Sequence, residues 1–300
     1  MHVFIAGASG FVGTALSRFL LDAGTTVTGV GRSRTHPFES VPAFTWLSAD
    51  TTHAGPWQTA VAEADAVVNL TGCTIFKRWT RGYKARMVDS RIRTTGNIVE
   101  AMKGGHQRLL STSAVGYYGS RGDEDLTEDS APGDDFLARL AVDWEQTARQ
   151  AGEKGVRVSI MRFGVVLGAG GGALARMLPA FRRFAGGPLG SGRQWFAWIH
   201  LADVLAGIQY LLDGETAAGI YNFCAPQTVR QKDFASRLGD ALGRPAWLPA
   251  PSPALKLVLG EVAQVLLASQ KVHPRQLLAE HFPFRFGDLD RALADLVRRP

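Results

Sequence analysis

The 300-residue chain predicts a doubly wound α/β fold, a parallel sheet covered by helices on both faces. Three observations carry that reading: apolar runs of strand length alternate with helical periodicity, a glycine-spaced loop joins the first strand to the first helix, and the second strand ends in arginine rather than an acid. The first strand, His2 to Ala6, runs into Gly7, Gly10 and Gly13 of GASGFVG, and a helix from Phe11 to Asp22 follows. Glycines at these spacings allow a tight turn, let a pyrophosphate lie against main-chain N–H groups at a helix N-terminus, and let helix pack close to strand. The second strand, Thr26 to Gly31, ends at Arg32. An acid there would take a ribose 2′-hydroxyl. A guanidinium, with Arg34 close behind, suits a 2′-phosphate, so the expected cofactor is NADP(H) rather than NAD(H). A solvated arginine pair in a surface turn is the alternative.

Further strands are expected at Phe44 to Leu47, Ala66 to Leu70, Arg108 to Ser113 and Val156 to Phe163. Helices are expected at Tyr83 to Met102 and at Phe136 to Gln150, where Phe136, Leu140 and Trp144 recur every fourth residue. Residues 1–164 therefore read as a Rossmann domain. After Gly164 the texture changes to GVVLGAGGGALARML and then to a Gly/Pro-rich bend. Residues 165–300 read as a smaller α+β substrate-side domain with a C-terminal helical extension, from which segments such as 200–212 can fold back onto the first part. Pro245, Pro249, Pro251 and Pro253 read as a rigid connector into the last helical stretch.

A hydrophobic content of 46% supports a large core, and no run approaches the ~20 apolar residues of a membrane span. The N-terminus enters a strand without a leader, and the expected location is cytoplasmic. Cys73 and Cys224 sit in no metal-binding spacing; both are expected as buried small residues, and no metal is expected. The net charge of +6 is dispersed in pairs such as Arg182 with Arg183 and Arg298 with Arg299, without an aromatic-interleaved basic stripe. Neither nucleic acid nor a membrane is expected as a partner. Trp57 and Trp144 are expected in the core, as is His200, while Asp203 is expected to cap a helix from Val204 to Leu212.

The glycine spacing, NLTG after the fourth strand, STSAVGYYG after the fifth, LTEDSAPGDDF and FAWIHLADV together resemble the extended short-chain dehydrogenase/reductases. The runs NLTGCTIFKRW, RFGVVLGAGGGALARMLPAF, GGPLGSGRQWFAWIHLADV and ALKLVLGEVAQVLLASQKVHP resemble the atypical "epimerase family" (NAD-dependent epimerase/dehydratase-like) branch over essentially the whole chain. The resemblance implies a pyrophosphate loop of Gly7, Ser9, Gly10, Phe11, Val12 and Gly13, with Gly31 and Arg32 at the 2′-phosphate. Asp50 falls where such enzymes touch adenine, a turn or N-cap role being the alternative. Leu70, Thr71 and Gly72 would line the cofactor, with Thr112, Phe163, Gly164 and Val165 also in its binding set. Arg91 replaces a usual Asn and could reach the pyrophosphate or ribose, or remain a surface arginine. A homodimer through the two long helices is the superfamily expectation.

The same resemblance implies a Tyr and a Lys four residues apart on the helix after the fifth strand, but DDFLARLAVDWEQTA holds Leu137 and Ala141 there, or Phe136 and Leu140 in a shifted register. Arg139 is the one cation nearby, and a guanidinium is a poor proton relay. Ser113, Tyr117 and Tyr118 remain as candidates for the catalytic chemistry, the alternative for the tyrosines being packing of a loop. On the substrate side, Arg162, Arg193, Trp195 and Trp79 suit a flat acidic molecule, a core or interface role being the alternative. The expectation is an NADP(H)-dependent oxidoreductase or epimerase-like enzyme on a small unidentified metabolite. A non-catalytic NADPH sensor and a nucleotide-sugar epimerase are the alternatives.

Overall fold

Strands buried on both faces need apolar side chains at successive positions, and Val3, Phe4, Ile5 and Ala6 are fully buried. The computed structural model describes residues 1–214 and 218–298; Arg299 of the terminal arginine pair lies outside them. Among these residues seven parallel strands form one sheet: β1 (His2–Ala6), β2 (Thr26–Gly31), β3 (Phe44–Ser48), β4 (Ala66–Asn69), β5 (Arg108–Ala114), β6 (Arg157–Phe163) and β7 (Gly219–Phe223). Their spatial order is β3-β2-β1-β4-β5-β6-β7. Val3 pairs with Val27 on one side and Ala66 on the other, so the strand order reverses at β1. In open α/β sheets the ligand crevice lies at the carboxyl ends of the strands flanking such a reversal.

Alternate residues of β1 enter opposite cores. Val3 and Ile5 pack with Leu16 and Leu20 of helix α1 (Phe11–Asp22), while Phe4 and Ala6 face Ile98 of helix α2 (Arg81–Ala101) and Ala148 of helix α3 (Phe136–Arg149). Trp57 and Trp144 are buried, 4% and 5% exposed. The chain crosses the expected division at residue 164 and returns. Helix α4 (Leu201–Asp213) packs on the α1 face through Val204, Ile208 and Leu211, and β7 pairs with β6 from Gly219↔Ser159 to Phe223↔Phe163. The physical reason is the edge of β6, whose hydrogen-bonding groups β7 satisfies while burying Tyr221 and Phe223.

Helix α4 starts three residues before the expected Val204. His200 is its N-cap, its Nδ1 accepting from the Ala202 N–H at 3.0 Å. Asp203 instead accepts the N–H groups of Arg285 and Phe286 at 2.8 and 2.9 Å, tying down the C-terminal region. Burial raises its carboxyl above the usual range. Beyond β7, helix α5 (Gln231–Leu242) packs Phe234 and Leu238 in one cluster with Leu289 and Leu293 of helix α7 (Leu289–Arg298), with helix α6 (Ser252–Leu259) between them in sequence. Lys271–Val272 adds a short parallel pairing to Asp125–Leu126.

Candidate functional site

Helix α1 begins at Gly10, an N-cap without a side chain, and carries no acid in its first turn. The first-turn N–H groups of Phe11, Val12 and Gly13 have no intrahelical partners, and the macrodipole favours an anion there. The loop is closed to side chains. A Cβ at Gly13 would lie 2.3 Å from the Gly7 carbonyl oxygen, and one at Gly31 would lie 2.7 Å from Ser9 Oγ. Gly7 itself holds φ +82°, a left-handed conformation that favours glycine. This is the construction that close approach of a phosphate to the backbone needs.

The loop opens onto a cleft of about 380 Å³, lined by Gly7, Ser9, Gly10, Gly31, Arg32, Asp50, Leu70, Thr71 and Gly72 among the sequence-predicted residues. Arg32 is exposed at its rim. Asp50 takes up its alternative, a turn: its Oδ1 accepts the N–H and hydroxyl of Thr52 at 3.0 and 2.7 Å, and the Thr52 hydroxyl first among its neighbours holds the carboxyl below its usual range. Thr71 is fixed by Asn69, whose Oδ1 accepts both its N–H and its hydroxyl, while Asn69 Nδ2 donates to Thr95 Oγ1. Trp144 donates to the same Thr95 oxygen at 2.9 Å, so the β4 end is braced from α3.

Arg86, Ser90 and Thr94 also line the cleft, and the sequence reading missed all three. Their spacing of four places them on one face of α2, which is the signal that could have found them. Arg91 lies one position round the helix from that face. Its guanidinium donates to the carbonyls of Met87 and Cys73 at 3.1 and 3.2 Å and sits 5.2 Å from the Trp144 ring. The expected reach of Arg91 toward a pyrophosphate or ribose is corrected: it braces the 70–73 loop, and burial lowers its pKa. A Cβ at Gly72 would meet its Cζ at 2.9 Å. Cys73 is corrected too, since it is half-buried and lines the cleft, whereas Cys224 is buried.

At the carboxyl ends of β5 and β6 a buried polar network occupies the region near the missing Tyr and Lys. Ser113 Oγ donates to Glu145 Oε1 at 2.8 Å, and Arg162 grips the same carboxylate with Nε and Nη2 at 2.7 and 2.9 Å. Arg162 Nη1 donates to Tyr118 Oη at 2.9 Å, and Tyr118 donates to Asn222 Oδ1 at 2.7 Å. Arg162 is 1% exposed, so its expected contact with substrate is corrected: it pairs internally. Burial acts to lower its pKa, and Glu145 reverses that and leaves it raised. Tyr118 is fully buried, with its phenol pushed up by desolvation, and is corrected as a proton donor. Ser113, also 1% exposed, faces Glu145. Tyr117 remains half-buried, its ring 3.4 Å from the Arg162 guanidinium carbon.

Leu137, Leu140 and Phe136 join Trp79, Met87 and Val262 in an apolar cluster. Trp79 is buried there and donates to the Ile75 carbonyl at 2.8 Å, which corrects its expected role of facing substrate. Trp195 lies under Arg230 at 3.9 Å and donates to Asp123, and Arg193 is exposed nearby, its carbonyl accepting from Arg230. Thr112 Oγ1 is a buried hydroxyl with no hydrogen-bond partner, and Phe163, Gly164 and Val165 follow on the neighbouring strand end. An orphaned hydroxyl and an uncapped glycine cradle both fit a polar, phosphate-bearing ligand laid across these strand ends.

Residues 3–224 match the model of the NAD dependent epimerase/dehydratase family, and residues 250–296 match a domain of unknown function, DUF1731. The chain is 39% identical over 303 residues to the chloroplastic epimerase family protein SDR39U1 homolog of Arabidopsis thaliana, covering 99% of this chain and 87% of that protein. The crystal structure of human epimerase family protein SDR39U1 (isoform 2) with NADPH superposes with a TM-score of 0.88 at 34% identity, each chain covered completely. UDP-glucuronic acid 4-epimerase from Bacillus cereus superposes with a TM-score of 0.81 over 99% of this chain and 98% of that one, at 17% identity, a likeness of fold alone. A glycine cradle, a doubly wound sheet and a shared C-terminal extension thus converge: the chain belongs to the NAD-dependent epimerase/dehydratase family, in its extended short-chain dehydrogenase/reductase branch.

Proposed function

We propose that this protein binds NADP(H) and acts as an oxidoreductase or epimerase-like enzyme on a small metabolite, without the usual Tyr–Lys proton relay. The observation that carries the reading is Arg32, a guanidinium at the rim of a cleft floored by a glycine loop that no side chain could enter. The complete superposition on a human relative crystallised with NADPH supports it.

In this reading the N–H groups of Ser9, Phe11, Val12 and Gly13 take the pyrophosphate, and Arg32 takes the 2′-phosphate. Thr51, which lines the cleft and bonds Thr94, would face the adenine end with Ser90 and Thr94, while Leu70, Thr71 and Gly72 would support the ribose. Thr112 and the Phe163–Gly164–Val165 turn receive the nicotinamide end. When bound, NADPH supplies the hydride. Tyr117 is the phenol left to hold a proton beside the substrate, its ring held against the Arg162 guanidinium.

A second reading, a sensor that binds NADPH without turnover, draws on Ser113, Arg162 and Tyr118 being sealed in one hydrogen-bonded network. Single-turnover oxidation of bound NADPH across a panel of carbonyl compounds separates the two. Oxidation slowed by Tyr117→Phe is the outcome expected for the enzyme; inert cofactor with every compound is the outcome for the sensor.

A further inference from the structure

Two segments far apart in sequence, 182–193 (RRFAGGPLGSGR) and 244–259 (RPAWLPAPSPALKLVL), contain no acidic residue. The fold lays them side by side. Leu248 N–H donates to the Gly186 carbonyl, Gly190 N–H to Ala250 and Ala250 N–H to Pro188, while the Arg244 guanidinium carbon lies 4.7 Å from the Phe184 ring. Helix α6 continues from this double strand with Leu255 and Leu259 half-buried, and none of its eight residues is buried. At 100° per residue Leu257 points away from the body, and it is 88% exposed. Val258 is 80% exposed, Trp247 71%, Phe184 56% and Leu248 46%. Phe184 also holds φ +61°, a strained conformation for an aromatic residue that presents its ring to solvent.

The same two segments carry Arg182, Arg183, Arg193, Arg244 and Lys256, all exposed, with Arg244 over the Phe184 ring. Acids at the margins include Asp240, near the end of α5, Glu261, which is paired with Lys84, and Asp123, which is paired with Arg230 and lies near Arg193. Protruding aromatic and aliphatic groups alongside cations form the chemistry of a surface that inserts shallowly into a bilayer while its charges meet anionic headgroups. A second copy of the chain is a poor occupant, because a two-fold contact would set cation against cation. No helix among the described residues is long and apolar enough to cross a membrane, and the apolar side chains of this surface are divided between two segments.

We propose that the face formed by Phe184, Trp247, Leu248, Leu257 and Val258 docks on an anionic phospholipid bilayer. The test is flotation of the full-length protein with vesicles of phosphatidylglycerol and phosphatidylcholine, against vesicles of phosphatidylcholine alone. Flotation with the anionic vesicles only is expected, falling as salt rises. The double variant Leu257→Glu/Val258→Glu should lower the bound fraction about tenfold or more, and each of Arg182→Gln, Arg183→Gln and Arg244→Gln by about fivefold. Unchanged melting temperatures show that the variants are folded, since every substituted side chain is exposed. Absence of flotation with anionic vesicles overturns the proposal, as does equal flotation of wild type and variants. A concentration-dependent dimer abolished by Leu257→Glu, in a protein that ignores vesicles, assigns the face to a second copy instead.

Discussion

Arg32 carries the choice between the two nicotinamide dinucleotides. Arg32→Asp is expected to weaken NADP(H) by about 2–4 kcal/mol while leaving NAD(H) nearly unchanged, read by calorimetric titration of both. Equal losses would remove the 2′-phosphate assignment. Gly13→Ala forces a methyl group into the Gly7 carbonyl and should cost about 1–3 kcal/mol of stability in thermal melts without nucleotide, besides abolishing binding. These residues were legible in the sequence because their logic is local, a turn that needs glycine and a strand end that needs a charge. Arg86 was not, because which face of α2 looks into the cleft depends on how the adjoining flank, with Met87 and Ile98, packs into the body. Arg162 was misread for a related reason: its carboxylate partner, Glu145, lies on another element, and a buried ion pair has no signature in either segment alone.

At the level of elements, the C-terminal extension serves as a splint for the 115–125 loop. Gln270 Nε2 donates to the Val115 and Gly119 carbonyls, each at 3.0 Å, and Ser269 Oγ donates to the Gly122 carbonyl at 2.6 Å. Gln270→Ala leaves two carbonyls short of a donor and is expected to cost about 1–3 kcal/mol, measured by denaturant unfolding. Asp125 closes the same seam, and Lys271 first, then His273, holds its carboxyl below the usual carboxylate range. A lowered carboxyl stabilises the folded form above the unfolded pKa, and that contribution is lost as pH falls through the folded value. Protection factors of the amides at the Asp125–Leu126 and Lys271–Val272 pairing should therefore hold at neutral pH and fall only as pH drops through the lowered range of the carboxyl. Between α3 and β6, Glu145→Gln strips the partner from a guanidinium that is 1% exposed, with an expected loss of about 3–5 kcal/mol in thermal denaturation.

For the molecule as a whole, ligand linkage gives the broadest check on the proposed reading. NADPH at one hundred times its dissociation constant should add about 2.7 kcal/mol, raising Tm by roughly 5 °C, whereas Arg32→Asp should show little rise. The first six strands were legible in the sequence, because strands of a covered parallel sheet read as short, largely apolar runs between helical stretches, even at the edge strand FTWLS. β7 was not. GIYNF is short and follows a stretch whose glycines and prolines suggest a separate unit, and only the unpaired edge of β6 explains its place. That pairing governs how the polypeptide can be cut. A truncation after residue 164 would keep the whole nucleotide loop yet leave β6 with a bare row of amides and carbonyls, so the fragment should aggregate during expression. On the ribosome, the same edge waits for more than fifty further residues to emerge, and chaperone engagement during that interval is the expected cost of a fold that finishes its sheet late.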